Sequence, residues 1–346
     1  MWWRFILLSC LRFIFVAVNN VYSISSHFFL LALASPLKLI GYGQTYDKIE
    51  EVLFGWLLSQ VGVWIYTAGY KIYESGDPLP LGKECLFMPN HQSTADVPYL
   101  MALLASKPGI AAKIMWIMDK IFKYTTFGWV ASAHQDFFIL AGKRCREKSL
   151  VDLRNHLKTV FIAKGRKYLV LFPEGGFLRK RKGVSHQFAK KNDLPLLEYC
   201  TLPRTGALEV ILDVLNCNSS YKSYINKIVD ITIAYPEGKP LDLPTIIIGN
   251  RPPCTTYFHY RVFDIESLPK DVEELKKWIY YLYIDKEKML SEYYQTGVWP
   301  HQMFNSNSSP PKEMIHDGSY YVLIHFFFIF WFSVLVFFIR TILALF

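Results

Sequence analysis

One stretch of the chain brings a histidine and a carboxylate within reach of each other: Asn90-His91-Gln92-Ser93-Thr94-Ala95-Asp96. On a regular helix His91 and Asp96 would point ~140° apart, at ~100° per residue, and could not meet. With His91 in a turn and Asp96 in the first turn of a helix, contact becomes possible. Asp96 would then accept from one imidazole nitrogen and leave the other as a base. Alone, the pair also reads as a turn histidine followed by an acid favoured at a helix start. A second stretch, Phe172-Pro173-Glu174-Gly175-Gly176, sets a carboxylate before two glycines that let backbone approach a ligand closely. Glu174 is placed there for a hydroxyl or a cationic partner. Arg179-Lys180-Arg181-Lys182 follows, a cluster suited to phosphate groups or to an anionic membrane surface.

Both stretches need strands to end where the chemistry begins. Glu84 to Met88 (ECLFM) reads as a short buried strand, Pro89 to Ser93 as a turn, and Thr94 to Ala105 as a helix. Lys167 to Phe172 (KYLVLF) is a second β-prone run that leads directly into Pro173-Glu174-Gly175-Gly176. Two strand-end loops of an α/β domain follow from this, and an open α/β sheet holds its ligand at such loops. Lys270 to Leu290 places Val272, Leu275, Ile279 and Leu282 at helical spacing, as a packing helix does. Gly183 to Asn192 and Asn305 to Pro311 read as polar connectors. Met115, Trp116 and Met118 read as core or lipid-facing residues, and His134, His186 and His259 as structural histidines.

The 346 residues are 52% hydrophobic and 19% charged, with 26 Phe, 22 Tyr and 9 Trp. That excludes intrinsic disorder and argues against an ordinary soluble domain. The hydrophobic excess is concentrated at the ends. Tyr320 to Ile339 carries no charge, and its twenty residues at ~1.5 Å each match the ~30 Å core of a bilayer. Phe13 to Leu37 is also uncharged and reads as a retained anchor, with a signal peptide as the competing reading. Val52 to Tyr70 is a third uncharged stretch; its glycines and polar residues suggest a segment lying on the membrane rather than crossing it. The balance of 38 basic to 29 acidic residues gives a net charge of +9 and implies anionic partners. No recognition motif for nucleic acid surrounds the basic cluster. Six scattered cysteines without a CxxC pair signal neither a zinc site nor a disulfide framework, and no metal motif, nucleotide motif or G-x-S-x-G elbow is present. Asn218-Ser219-Ser220 is a glycosylation sequon, meaningful only in a lumenal domain.

Together these motifs resemble the glycerophospholipid acyltransferase family, relatives of 1-acylglycerol-3-phosphate acyltransferase. That family's first block is matched by Asn90, His91 and Asp96, and its third by Phe172 to Gly175. Ser185 to Leu194 and Leu202-Pro203-Arg204-Thr205 resemble the lysocardiolipin and lysophosphatidylglycerol branch, as do Asp230 to Pro236 and His259 to Gly297. Met115 to Asp119, Ile121 to Tyr124 and Gly175 to Arg181 are most similar to its lysophosphatidylglycerol members. The second block departs. Gln135 stands for a glycine, Ala141 for an arginine, and Leu140 for an arginine of close relatives; Lys143 or Arg144 are the nearby substitutes. Phe177 occupies a position where the third block often has arginine.

The resemblance implies an αβ catalytic domain over 71–236 and a C-terminal acyltransferase region over 237–318. Membrane-associated segments would flank them over 1–70, and a transmembrane helix over 319–346. It implies transfer of an acyl group from acyl-CoA, a co-substrate rather than a cofactor, to a lysophospholipid of lysophosphatidylglycerol type. Lysophosphatidylethanolamine, lysophosphatidic acid, lysocardiolipin or monoacylglycerol are alternative acceptors, and an inactive lipid-binding scaffold is the non-enzyme alternative. His91 and Asp96 would be catalytic. Asn90, Glu174, Gly175, Gly176, Arg179, Lys180, Arg181, Pro203 and Arg204 would bind substrate. The expected location is the endoplasmic reticulum membrane, with the domain facing the cytosol.

Overall fold

The computed structural model describes residues 2–140, 142, 145–216 and 224–346. Ala141, Lys143 and Arg144 of the second block lie outside the described residues, as does the sequon. The chain begins with helices α1 (Trp2–Ala34), α2 (Pro36–Leu39) and α3 (Gly43–Thr67). It continues through β1 (Lys71–Gly76), β2 (Cys85–Pro89), α4 (Asp96–Ala105), β3 (Ile114–Asp119), α5 (Thr126–His134), β4 (Phe137–Ile139) and α6 (Arg146–His156). Then come β5 (Tyr168–Val170), α7 (Leu178–Lys191), α8 (Gly206–Leu215), β6 (Lys227–Ala234), α9 (Leu243–Ile248) and β7 (Thr255–Asp264). It closes with α10 (Val272–Thr296), β8 (Ser309–Glu313) and α11 (Gly318–Leu343).

The strands form one eight-stranded sheet in the order β4-β3-β5-β2-β6-β7-β1-β8. The five strands from β4 to β6 run parallel, and β7 pairs antiparallel with β6. Because side chains alternate across a strand, each parallel strand serves two cores. Cys85 and Phe87 face the core built by Phe54, Leu58 and Ile65 of α3 with Tyr99 to Leu104 of α4. Leu86 and Met88 face the opposite core, with Leu153 of α6, Leu208 and Ile211 of α8 and Ile279, Leu282 and Tyr283 of α10. The result is a sheet sandwiched between helices, the expected α/β class. Val272 starts α10 but is exposed; the buried stripe begins at Leu275.

Two expected connectors are regular structure. Gly183 to Asn192 forms most of α7, because Ser185 and Ala189, one helical turn apart, both bury. Within Asn305 to Pro311, Ser309 begins β8, an edge strand paired antiparallel with β1. Its Pro310 and Pro311 are tolerated there because an edge strand has one unpaired side.

The stretch Val52 to Tyr70, expected on the membrane, instead shares the domain core through α3. Its upstream acids explain why α3 can bury. Arg166, itself buried, reaches Glu50 at 3.2 Å and the Ala112 carbonyl at 3.1 Å, and Lys113 reaches Glu51 at 2.7 Å. His134 places Nδ1 2.6 Å from Glu50 and Nε2 2.8 Å from the Ile114 carbonyl, while its ring stacks on Phe54 at 3.4 Å. The change in composition near residue 70 is thus not a break in packing.

On the far side of α3 lie α1 and α11. Residues Ile6–Leu39 and Gly318–Leu343 are long and apolar enough to cross a membrane, which suggests membrane association. Polar contacts join them to α3 and to each other: Trp64 Nε1 of α3 donates to Asn19 Oδ1 of α1 at 2.8 Å, and Ser26 Oγ of α1 to the Phe328 carbonyl of α11 at 2.8 Å. Gly62 allows close crossing, since a Cβ there would stand 2.9 Å from the Tyr321 hydroxyl.

Candidate active site

β2 and β5 are adjacent and parallel, so the loops leaving their C-terminal ends meet. The β2 loop holds His91 before α4, and Asp96 is the first residue of that helix. His91 Nδ1 lies 2.9 Å from Asp96 Oδ2. An ionised carboxylate only accepts, so this contact suits the tautomer with the proton on Nδ1, in which the neutral ring presents a lone pair at Nε2. Asp96 is held on every side: Oδ2 also accepts from the Ser93 amide at 2.8 Å, and Oδ1 from the Tyr235 hydroxyl at 2.6 Å. Tyr235, just past β6, is buried, and burial with the Asp96 charge drives its phenol well above the usual range. The His91 ring is walled by Phe172 at 4.1 Å and Phe177 at 4.4 Å. Its side chain keeps 9% exposure, enough to meet a substrate while shielding most of the ring from water.

Glu174 lies at the root of the β5 loop, fully buried. Its Oε1 accepts from the His91 amide at 2.6 Å; its Oε2 accepts from the Thr201 amide at 2.9 Å and hydroxyl at 2.7 Å. Burial pushes the Glu174 carboxyl up to about 8, the Thr201 and His91 donors oppose the rise, and Asp96 adds to it. Asn90 is likewise fully buried, exchanging side-chain hydrogen bonds with the Ile233 amide and carbonyl at 2.7 and 3.1 Å. Asn90 spends these bonds on backbone, and Glu174 on two backbone amides and the Thr201 hydroxyl. They hold the β2 loop against β6 and against the β5 loop.

Gly175 and Gly176 adopt φ of 68° and 149°. A Cβ on Gly175 would stand 3.2 Å from Arg204 Cδ, and one on Gly176 3.2 Å from Arg181 Cδ. The glycines thus let two arginines lie along the loop. Pro203 is buried behind it, and the Arg204 amide donates to the Pro173 carbonyl at 2.8 Å. The basic run divides. Arg181 turns to Gly176, Lys182 pairs with Glu198, and Arg179 and Lys180 are exposed. Burial lowers Arg181 while the Glu174 charge opposes the fall; Arg204, exposed at its surface, is lowered by partial burial and then by the charges of Arg181 and Arg146.

The departures from the family pattern acquire places. Gln135 is the left-handed C-cap of α5, with φ 65°, a position that favours glycine for backbone reasons. Phe177, where an arginine is often found, forms part of the wall around His91. Thr201, Tyr235, Phe177 and Arg146 were not singled out as site residues by the sequence. Their separation from the motifs, or their apolar character, gave no local signal.

The family model for acyltransferases matches residues 71–236, and that for the acyltransferase C-terminus matches residues 247–329. The chain belongs to the glycerophospholipid acyltransferase family and is an enzyme that transfers acyl groups. Among its relatives, the Homo sapiens acyl-CoA:lysophosphatidylglycerol acyltransferase 1 is 40% identical over 316 residues, covering 86% of this chain and 85% of that protein. The Mus musculus protein of the same name is 40% identical over 309 residues, covering 84% and 82%. Lysocardiolipin acyltransferase 1 of Danio rerio is 26% identical over 275 residues, covering 79% and 69%.

Proposed function

We propose that this chain transfers a fatty acyl group from acyl-CoA to the hydroxyl of a lysophospholipid, with a lysophosphatidylglycerol-type acceptor. The carrying observation is the His91–Asp96 pair at 2.9 Å, whose geometry leaves Nε2 free beside a loop lined by arginines. In this reading Nε2 takes the hydroxyl proton as the oxygen attacks the thioester carbonyl carbon. Asp96 keeps the ring in the Nδ1–H tautomer and stabilises the imidazolium that forms. The tetrahedral intermediate then expels the CoA thiolate, which takes the proton back from His91. The acceptor hydroxyl is itself the nucleophile, so a serine or cysteine nucleophile is unnecessary.

Asn90 and Glu174 act by positioning: they tie the His91 loop to β6 and to Thr201. Arg181 and Arg204 are the favoured contacts for a substrate phosphate. Exposed Arg179 and Lys180 would meet phosphates nearer the mouth, and Gly175, Gly176 and Pro203 shape the loop. The apolar terminal helices support a membrane-surface site suited to insoluble acyl chains. Use of acyl-CoA favours the cytosolic face of the endoplasmic reticulum membrane. The test is acyl transfer by the purified protein across a matrix of lysophospholipids and acyl-CoAs, with His91→Ala as control. A fall of ~10²–10⁴-fold is expected from loss of the base; folded His91→Ala with near-normal transfer would overturn the mechanism. Preference for another acceptor would overturn the headgroup assignment. Lumenal exposure of Lys167 to Lys182 in a protease-protection assay would overturn the orientation.

A further inference from the structure

We propose that Arg146 completes, with Arg181 and Arg204, a three-guanidinium cradle for a substrate phosphate, supplying from α6 a cation that the second block lacks. The inference rests on the acyltransferase reading above and deepens it by adding a binding residue.

Three separate elements contribute: Arg146 opens α6, Arg181 lies on α7, and Arg204 precedes α8. Each guanidinium arm crosses a glycine. A Cβ on Gly206 would stand 3.1 Å from a terminal nitrogen of Arg146, complementing the 3.2 Å approaches of Arg204 to Gly175 and Arg181 to Gly176. Arg204 is near enough to both others for their charges to depress its own proton affinity. Gathering like charges is unfavourable unless water or something negative answers them; Arg146 and Arg204 are exposed to solvent and Arg181 is half-buried. No carboxylate among the described residues forms an ion pair with these three arginines. By contrast, Arg154 pairs with Asp213, Arg166 with Glu50, and Arg261 with Asp230. Arg181 Nε is buried without a hydrogen-bond partner.

The second block explains the geometry. Leu140, which stands where close relatives have an arginine, has its amide and carbonyl tied to Ser149 Oγ on α6 at 3.1 and 3.3 Å. That anchor ties the first turn of α6, which Arg146 opens, to the end of β4 beside the altered block. Planar guanidinium forks match the oxygens of a phosphate in a way that lysine does not. The phosphate belongs to one of two sources, the acceptor headgroup or CoA, and their shared chemistry is what the cradle recognises.

Equilibrium binding in detergent separates those sources. CoA and lysophosphatidylglycerol are each titrated into full-length His91→Ala protein, with and without Arg146→Gln or Arg146→Lys. Arg146→Gln is expected to weaken one ligand at least tenfold, with Arg146→Lys recovering part of the loss; the weakened ligand identifies the phosphate. In the His91-containing enzyme, KM for that same substrate should rise while kcat changes less than threefold. Unchanged binding of both ligands by folded Arg146→Gln would overturn the site. Should that variant fail to fold, Arg146→Lys carries the test: unchanged affinity for both ligands overturns the fork, and weakened affinity for one supports it. Loss of binding without acyl transfer in the unsubstituted protein would sink the enzymatic reading alone. Normal transfer with intact Arg146→Gln binding would sink the cradle alone.

Discussion

Replacing Glu174 with glutamine probes the joint between the two catalytic loops. Both carboxyl oxygens accept, one from His91 and the other from two donors of Thr201. Glutamine keeps one acceptor and puts an NH2 at the other place. With its oxygen toward His91, the NH2 faces Thr201; that hydroxyl can turn and accept, but the Thr201 amide cannot. A buried N–H thus loses its acceptor, at a cost of about 1–3 kcal/mol. That corresponds to a Tm lower by about 1–4 °C in a chain of this size, at ~2.1 cal/mol/K of unfolding entropy per residue. The cost should depend on pH. Burial raises the folded-state carboxyl from 4.5 to about 8, and a protonated carboxyl still accepts at both oxygens. The folded chain therefore holds a proton that the unfolded chain releases above 4.5. This contribution to stability is full below 4.5 and is lost as pH rises through 8. Glutamine has no such titration, so the Tm gap between the two proteins should narrow from pH 6 to pH 9. Thermal unfolding of both proteins in one detergent across that range is the assay. Equal Tm values at pH 6, or a gap that widens with pH, would refute the reasoning.

Asp96→Asn should lower acyl transfer ~10²–10⁴-fold by removing the ionised partner that fixes the His91 tautomer; a rate within threefold of the unsubstituted enzyme would contradict that role. Gln135→Gly should raise stability by about 1 kcal/mol, because glycine occupies the left-handed cap without a Cβ clash; chemical unfolding measures it, and a loss of stability would count against the strain. Gly62→Leu should destabilise by about 1–3 kcal/mol through overpacking against Tyr321, read as a lower Tm; an unchanged value would show that α3 and α11 do not cross so closely.

Much of the site was legible because it is local. His91 and Asp96 are five residues apart across a strand–turn–helix junction, and the turn supplies the geometry a continuous helix would deny. Glu174 and its glycines follow a β-prone run that reads directly from residue type. Segments were less legible where burial, rather than pattern, decides. Gly183 to Asn192 is polar enough to resemble a connector, yet Ser185 and Ala189 anchor it as helix against the domain. Val52 to Tyr70 is apolar enough to suit a membrane surface, yet α4 and the sheet take the place of lipid against much of it.

The sequence by itself determined the α/β class, the acyltransferase resemblance and the two long apolar ends, because strand periodicity, motif spacing and hydrophobic run length are properties of neighbouring residues. Tertiary structure alone decided which polar groups spend their hydrogen bonds on the scaffold and which remain for a ligand. Asn90 and Glu174 look like binding residues in the chain but are bound to Ile233, His91 and Thr201 in the fold. Arg146 carries no motif signal, yet it stands near Arg204 and Arg181, and none of the three is held in an ion pair among the described residues. The physical reason is that pairing depends on distances between segments far apart in the chain, which residue order does not encode locally.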